Sequence, residues 1–185
     1  MIIDNFDSFT FNLIQLVEQA GITDFTLVKN DQLLQLNEQA FTHIIISPGP
    51  GLASEAGELL PFLKKVIATK PVLGICLGYE ALAELAGARL RQLDQPLHGI
   101  RNIGHIIAPH PILNQLPELF HIGHYHSWIA DETTFSADIR ILMRDESGLN
   151  MAIAHRVQPW VGLLFHPESI MTEYGLDMIK NWLNL

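Results

Sequence analysis

Apolar residues fall along this chain in short unbroken blocks in the first half and in longer, turn-separated runs in the second. FTLV (25–28), HIIIS (43–47) and PVLGI (71–75) are blocks of the kind presented by strands covered on both faces. Between them, stretches near 8–21, 57–69 and 77–87 read as helical. Strand and helix in alternation predict βαβ units and a parallel sheet. From residue 104 the rhythm changes to GHIIA (104–108), LFHIGHYHSWIA (119–130), ADIRILM (137–143), NMAIAHR (150–156) and WVGLLF (160–165), ahead of a final helix near 174–184. Such runs extend the sheet or pair as antiparallel strands. Only Met1, Ile2 and Ile3 precede the polar DNFDSF, so either the first strand is very short or residues ahead of it are missing. No linker, repeat or low-complexity segment interrupts the pattern, which predicts one domain over residues 1–185.

Composition narrows the class of partner. A hydrophobic fraction of 48% suits a sizeable core. A net charge of -9, with only 11 Lys and Arg spread along the chain, argues against a nucleic-acid or anionic-membrane surface and for a small molecule or another protein. The single cysteine cannot form an internal disulfide, no apolar run approaches the ~20 residues of a membrane span, and the start of the chain carries no signal-like segment. The expectation is a soluble cytoplasmic protein.

That cysteine, Cys76, sits in GICLG (74–78), between a buried strand and a helix. Gly-x-Cys-x-Gly at such a turn has the form of a nucleophile elbow, which lifts the side chain clear of the carboxyl end of the sheet, where ligands bind. The helix start beside it favours thiolate and offers N–H groups to an oxyanion. A lone cysteine after an apolar strand is equally read as a small buried hydrophobe. Two further strand ends weigh on the choice. SPGPG (47–51) makes a rigid loop whose amides can approach a ligand, and FHPES (165–169) sets His166 two residues from Glu168. A thiol needs a base and the base an orienting carboxylate, and Cys, His and Glu at strand ends supply that relay.

DNFDSFTFNL, SPGPG, GICLG, GHYHS and FHPES, in this order and at these spacings, resemble the class I (triad) glutamine amidotransferases, in particular the small glutaminase subunits of anthranilate synthase and aminodeoxychorismate synthase. The resemblance spans nearly the whole chain. It implies a flavodoxin-like α/β fold, a mostly parallel central sheet with helices on both faces. It also implies hydrolysis of L-glutamine with no cofactor and no metal, the ammonia passing to a chorismate-using synthase subunit. By the family pattern Cys76 is the nucleophile, His166 the base and Glu168 its orienting partner. Gly49, Pro50 and Gly51 match the substrate loop, Leu77 the oxyanion hole, and Ser127 and Trp128 the backbone that holds the amino-acid head of glutamine.

The chain also departs from that pattern. Tyr79-Glu80 stands where most members have His-Gln, HGIRN (98–102) where they have HGKTS, and Leu163-Leu164 alters the run before FHPES. Glu80, also placed among the substrate contacts, lies one helical turn after Cys76. If ionised at neutral pH it disfavours the thiolate by roughly 2–3 kcal/mol, against about 0.3–1 kcal/mol from the helix start. On that expectation Glu80→Gln raises glutamine use at neutral pH. Two alternatives follow: a binding or regulatory homologue impaired in turnover, or a stand-alone cysteine hydrolase of another γ-glutamyl compound. Of the other tempting residues, His124 and His126 point to one face of their strand and His121 to the opposite one, without an accompanying Cys or acidic set, which argues against a metal. His155 has no motif support beyond its strand, and Asp4, Asn5, Asp7 and Ser8 read most simply as ending the first strand and capping the next helix.

Overall fold

The computed structural model describes residues 1–185. Its elements run β1 (Ile2–Asp4), α1 (Thr10–Gln19), β2 (Leu27–Lys29), β3 (Ile44–Ile46), α2 (Leu59–Val66), β4 (Val72–Ile75), α3 (Leu77–Leu85), β5 (Leu90–Ile106), β6 (Leu119–Ala130), β7 (Ile139–Asp145), β8 (Asn150–His155), β9 (Trp160–Leu163) and α4 (Gly175–Leu183). They build one nine-stranded sheet in the order β2-β1-β3-β4-β9-β8-β7-β5-β6. The first five strands in that order are parallel, and the rest of the sheet is antiparallel. The change of rhythm near residue 104 is therefore a change from crossover to hairpin connections. No helix is long and apolar enough to cross a membrane.

β3, β4 and β9 are buried at every position, which explains why their sequences are apolar without alternation. α1 packs with α4, and α2 with α3. The crossover β1-α1-β2 runs one way along the sheet and β3-α2-β4 the other, so right-handed connections put the two helix pairs on opposite faces. Leu13 and Val17 of α1 and Met178, Ile179 and Trp182 of α4 are buried in the core beneath one face. Truncating Leu13 or Met178 to Ala there costs about 2–5 kcal/mol. The reversal of crossover direction falls between β1 and β3, the place where open α/β sheets form a crevice at their carboxyl edge.

Two expectations change. Residues 90–103 belong to β5, which runs unbroken to Ile106 instead of starting near Gly104. It is an exposed ribbon with Pro96 in it and a positive φ at Gly99, and its ladder to β6 breaks between Gln92 and Leu97 and between His98 and Ile100. Having no buried face over most of its length, it leaves no apolar period to read. The start of α1 is not capped by a side chain either: Phe9 is the N-cap and makes no side-chain cap bond. Asp4 and Asp7 instead close the turn before it, Asp4 Oδ1 accepting from the Phe6 N–H and Asp7 Oδ1 from the Phe9 N–H.

Candidate active site

β4 ends at Ile75, and the chain bends into α3 one residue later. Cys76 takes φ 51° and ψ -102°, a strained conformation for a residue with a side chain. Its N–H donates to the Leu163 carbonyl of β9 at 2.8 Å, and its carbonyl accepts from the Glu80 N–H at 3.0 Å. The flanking glycines serve close packing while the cysteine itself bears the strain. A Cβ on Gly74 would lie 2.4 Å from the Gly78 carbonyl, and one on Gly78 2.8 Å from Ile46 Cβ. Without side chains there, the first turn of α3 presses directly against β4 and β3.

Cys76 is only 7% exposed. Burial pushes its thiol well above the ordinary range, and the carboxylates of Glu168 and Asp7, joined by that of Glu80 wherever it is ionised, push the same way, with the Leu77 N–H alone working against them. The expectation that the helix start favours a thiolate is thus reversed in the resting chain, because desolvation outweighs the fixed dipole. Ionising this sulfur requires a base.

Such a base stands at the neighbouring strand end. Ile75 and Leu163 are register partners on the parallel strands β4 and β9, so Cys76 and the segment 164–168 leave the same edge of the sheet. His166 Nδ1 donates to Glu168 Oε1 at 2.7 Å, with both side chains buried. Nε2 then carries the lone pair, and it is buried without a hydrogen-bond partner, so no bond joins it to Cys76 at rest. The rings of Phe9 and Tyr125 meet the imidazole edge-on, their centroids 5.3 and 4.9 Å away. Sequence reasoning passed over both aromatics, although they lie inside two of the quoted motifs.

The SPGPG loop reaches the same edge from β3. Ser47 Oγ accepts from the Asn5 N–H at 2.9 Å, Asn5 Nδ2 donates to the Ser47 carbonyl at 2.8 Å, and Asn30 Nδ2 donates to Asn5 Oδ1 at 3.1 Å. Asn5 therefore ties the ends of β1, β2 and β3 together, a role beyond ending a strand. Gly49 fits because a Cβ there would meet Asn5 Cβ at 2.5 Å and Leu77 Cδ2 at 2.6 Å. This brings Gly49, Pro50 and Gly51 beside Leu77, with Gly51 at φ 74°.

Glu80 is 3% exposed on α3, and no side chain of the protein hydrogen-bonds it. Burial pushes its carboxyl up to about 8, and Glu84 one turn on adds to the shift. At neutral pH Glu80 is therefore mostly an uncharged acid, which overturns its expected ionisation. Tyr79 turns to β9 and β8, packing over Gly162 and hydrogen-bonding Asn150 Oδ1. Leu163 and Leu164 are core residues. From HGIRN, Arg101 reaches the Met171 carbonyl and Glu173 at 3.1 and 3.2 Å, pinning the ribbon to the segment after FHPES.

Ser127 and Trp128 follow on β6, the edge strand. His124 and His126 are buried together on one face, and His121 meets Glu173 at 3.2 Å. His155 closes the turn before β9, its Nδ1 accepting from the N–H groups of Val157 and Gln158.

A Cys at a strained elbow, a His–Glu pair at the next strand end and a glycine loop beside the helix start lie along one edge of the sheet. The chain belongs to the class-I glutamine amidotransferase family, whose model matches residues 1–185. It is 40% identical to the anthranilate synthase component 2 of Lactococcus lactis subsp. lactis (strain IL1403), over 100% of this chain and 93% of that protein. It is 34% identical to the aminodeoxychorismate synthase component 2 of Klebsiella aerogenes, over 100% of this chain and 98% of the other. In fold it is similar to a glutamine amidotransferase from Thermotoga maritima, with a TM-score of 0.73 at 19% identity over 90% of this chain and 74% of that one.

Proposed function

We propose that this chain is the glutaminase subunit of a chorismate-using synthase, hydrolysing L-glutamine through a cysteine thioester. The observation that carries the reading is the placement of Cys76 and the His166–Glu168 pair on adjoining strand ends, with the free Nε2 of His166 on the same edge.

The steps follow from these groups. His166 Nε2 takes the Cys76 proton as the sulfur attacks the side-chain amide carbon, and Glu168 stabilises the imidazolium through Nδ1–H. The N–H groups of Leu77 and Gly51 donate to the oxyanion. His166 returns its proton to the amide nitrogen, the C–N bond breaks, and ammonia leaves a γ-glutamyl thioester. Water then attacks the thioester while His166 takes its proton. The C–S bond breaks, the sulfur regains a proton, and glutamate departs. Ser127 and Trp128 hold the amino-acid head of glutamine through their backbone, and the neutral carboxyl of Glu80 lines the pocket without repelling its α-carboxylate.

Two features support a partner. The relatives named above are second components of anthranilate and aminodeoxychorismate synthases, which supports a first component, acting on chorismate, as the receiver of the ammonia. Ile170, 98% exposed, and Phe6, 54% exposed, stand in the segments after β9 and β1 at the carboxyl edge of the sheet, as a docking surface requires. The test is glutamate release from glutamine with and without each synthase. Stimulation by one of them is expected, and no glutamine hydrolysis with any of them overturns the reading.

A further inference from the structure

Edge strand β6 sorts its residues by parity. Odd positions turn their backbone outward: the Gly123 carbonyl accepts from the His166 N–H at 3.1 Å, its N–H donates to Thr172 Oγ1 at 2.9 Å, and the His121 carbonyl accepts from the Glu173 N–H at 3.0 Å. By the same alternation Ser127 turns its N–H and carbonyl to the edge along which the His166 segment runs. Even positions send His124 and His126 into the interior, where the mechanism above makes no use of them.

The protons on these two rings follow from their neighbours. The Trp128 carbonyl can only accept, so His126 Nδ1, 3.1 Å away, carries a hydrogen. Its Nε2 is then a bare lone pair, and His124 Nδ1 at 3.1 Å must be the donor to it. His124 Nε2 is left bare, buried and without a partner. The row has one direction, from His124 to His126 to Trp128.

What this row holds is the pair of peptide groups around Ser127, which the glutaminase reading sets against the head of glutamine. The ring closed by His126 Nδ1 and the Trp128 oxygen contains both peptide groups of Ser127. The strand ladder does not secure this point: the register passes from Trp128↔Gln92 to His126↔Leu97, so β5 skips Leu93 to Pro96 and Ser127 has no partner there.

We propose that His124 and His126 are positioning residues for the glutamine head. His126 clamps the Trp128 carbonyl and so sets the Ser127 N–H and carbonyl, and His124 holds His126 in the one tautomer able to do this. The proposal rests on the glutaminase reading. Burial keeps both rings neutral, lowering His124 and pushing His126 down to about 3. A proton added to His126 would need the lone pair already engaged by His124.

Two measurements test the pair. Nitrogen NMR of the ring atoms should show both histidines as neutral Nδ1–H tautomers, unchanged between about pH 6 and about pH 8. An Nε2–H tautomer on His126 overturns the proposal whatever the enzyme does with glutamine. In glutaminase kinetics with the synthase present, His126→Gln, which lacks a donor at the Nδ1 position, should raise KM for glutamine about tenfold with kcat nearly unchanged. His126→Asn, which keeps an N–H there, should hold KM near that of the parent. A purely structural role would move kcat, KM and melting temperature together in both variants. An active parent with unchanged KM in His126→Gln overturns the positioning role alone, and a parent that does not turn over glutamine overturns the glutaminase reading and this proposal with it.

Discussion

Glu80 shows how burial changes what a residue means. An exposed glutamate ionises near 4.5, but desolvation on α3 and the neighbouring Glu84 raise this one to about 8. The folded chain therefore holds a proton that the unfolded chain has already released. Its contribution to stability is fully present below about pH 4.5 and is lost as pH rises through about 8. Glu80→Gln should accordingly leave kcat/KM nearly unchanged at neutral pH. The variant's advantage in melting temperature should grow between about pH 4.5 and about pH 8 and level off above that, and above about pH 8 the variant should also outperform the parent in activity, because the parent then carries a buried charge that opposes the Cys76 thiolate. Parallel pH profiles of the two proteins check this, and a gain confined to neutral pH would contradict it. At the base, His166→Ala should lower kcat by ~10³-fold or more and Glu168→Gln by less, the double variant being no worse than His166→Ala alone.

At the scale of elements, the elbow depends on contacts that only glycine permits. Gly78→Ala puts a Cβ 2.8 Å from Ile46 Cβ and must push α3 away from β3, at a cost of about 1–3 kcal/mol. Since the same helix start carries the Leu77 N–H, the loss should appear in kcat as well as in melting temperature. An alanine variant with full activity and stability would show that the close contact is not needed. The buried strands and the GICLG and FHPES strand ends were legible in the sequence because apolar blocks and glycine spacing are local signals. The role of Asn5 was not: its bonds to Ser47 and Asn30 span 42 and 25 residues, and nothing in DNFDSF itself marks them. Residues 90–103 of β5 escaped notice for a different reason, since a polar ribbon with two ladder breaks carries no hydrophobic period.

For the whole molecule, Cys76, His166 and Glu168 stand at strand ends of the parallel half of the sheet, while the antiparallel half supplies β6 and the ribbon around it. The order of motifs pointed to the family, but the buried state of Cys76 and the neutral state of Glu80 depend on the packed interior and could not be read from spacing. A buried Cys76, with Ile170 and Phe6 exposed in the segments after β9 and β1, fits the proposal of a site completed on docking. Ile170→Asp should therefore weaken association with the synthase and its stimulation of glutaminase activity while leaving the melting temperature of the isolated chain unchanged. Undiminished association would move the docking surface elsewhere.

The proposed chemistry stands on attack of Cys76 on glutamine. A diazo-ketone analogue of glutamine, incubated with the chain and its synthase and followed by peptide mass analysis, tests it most directly. A single label on Cys76, slowed by glutamine and absent from Cys76→Ser, is expected, whereas labelling at another residue, or at Cys76 with no protection by glutamine, would contradict attack by this sulfur.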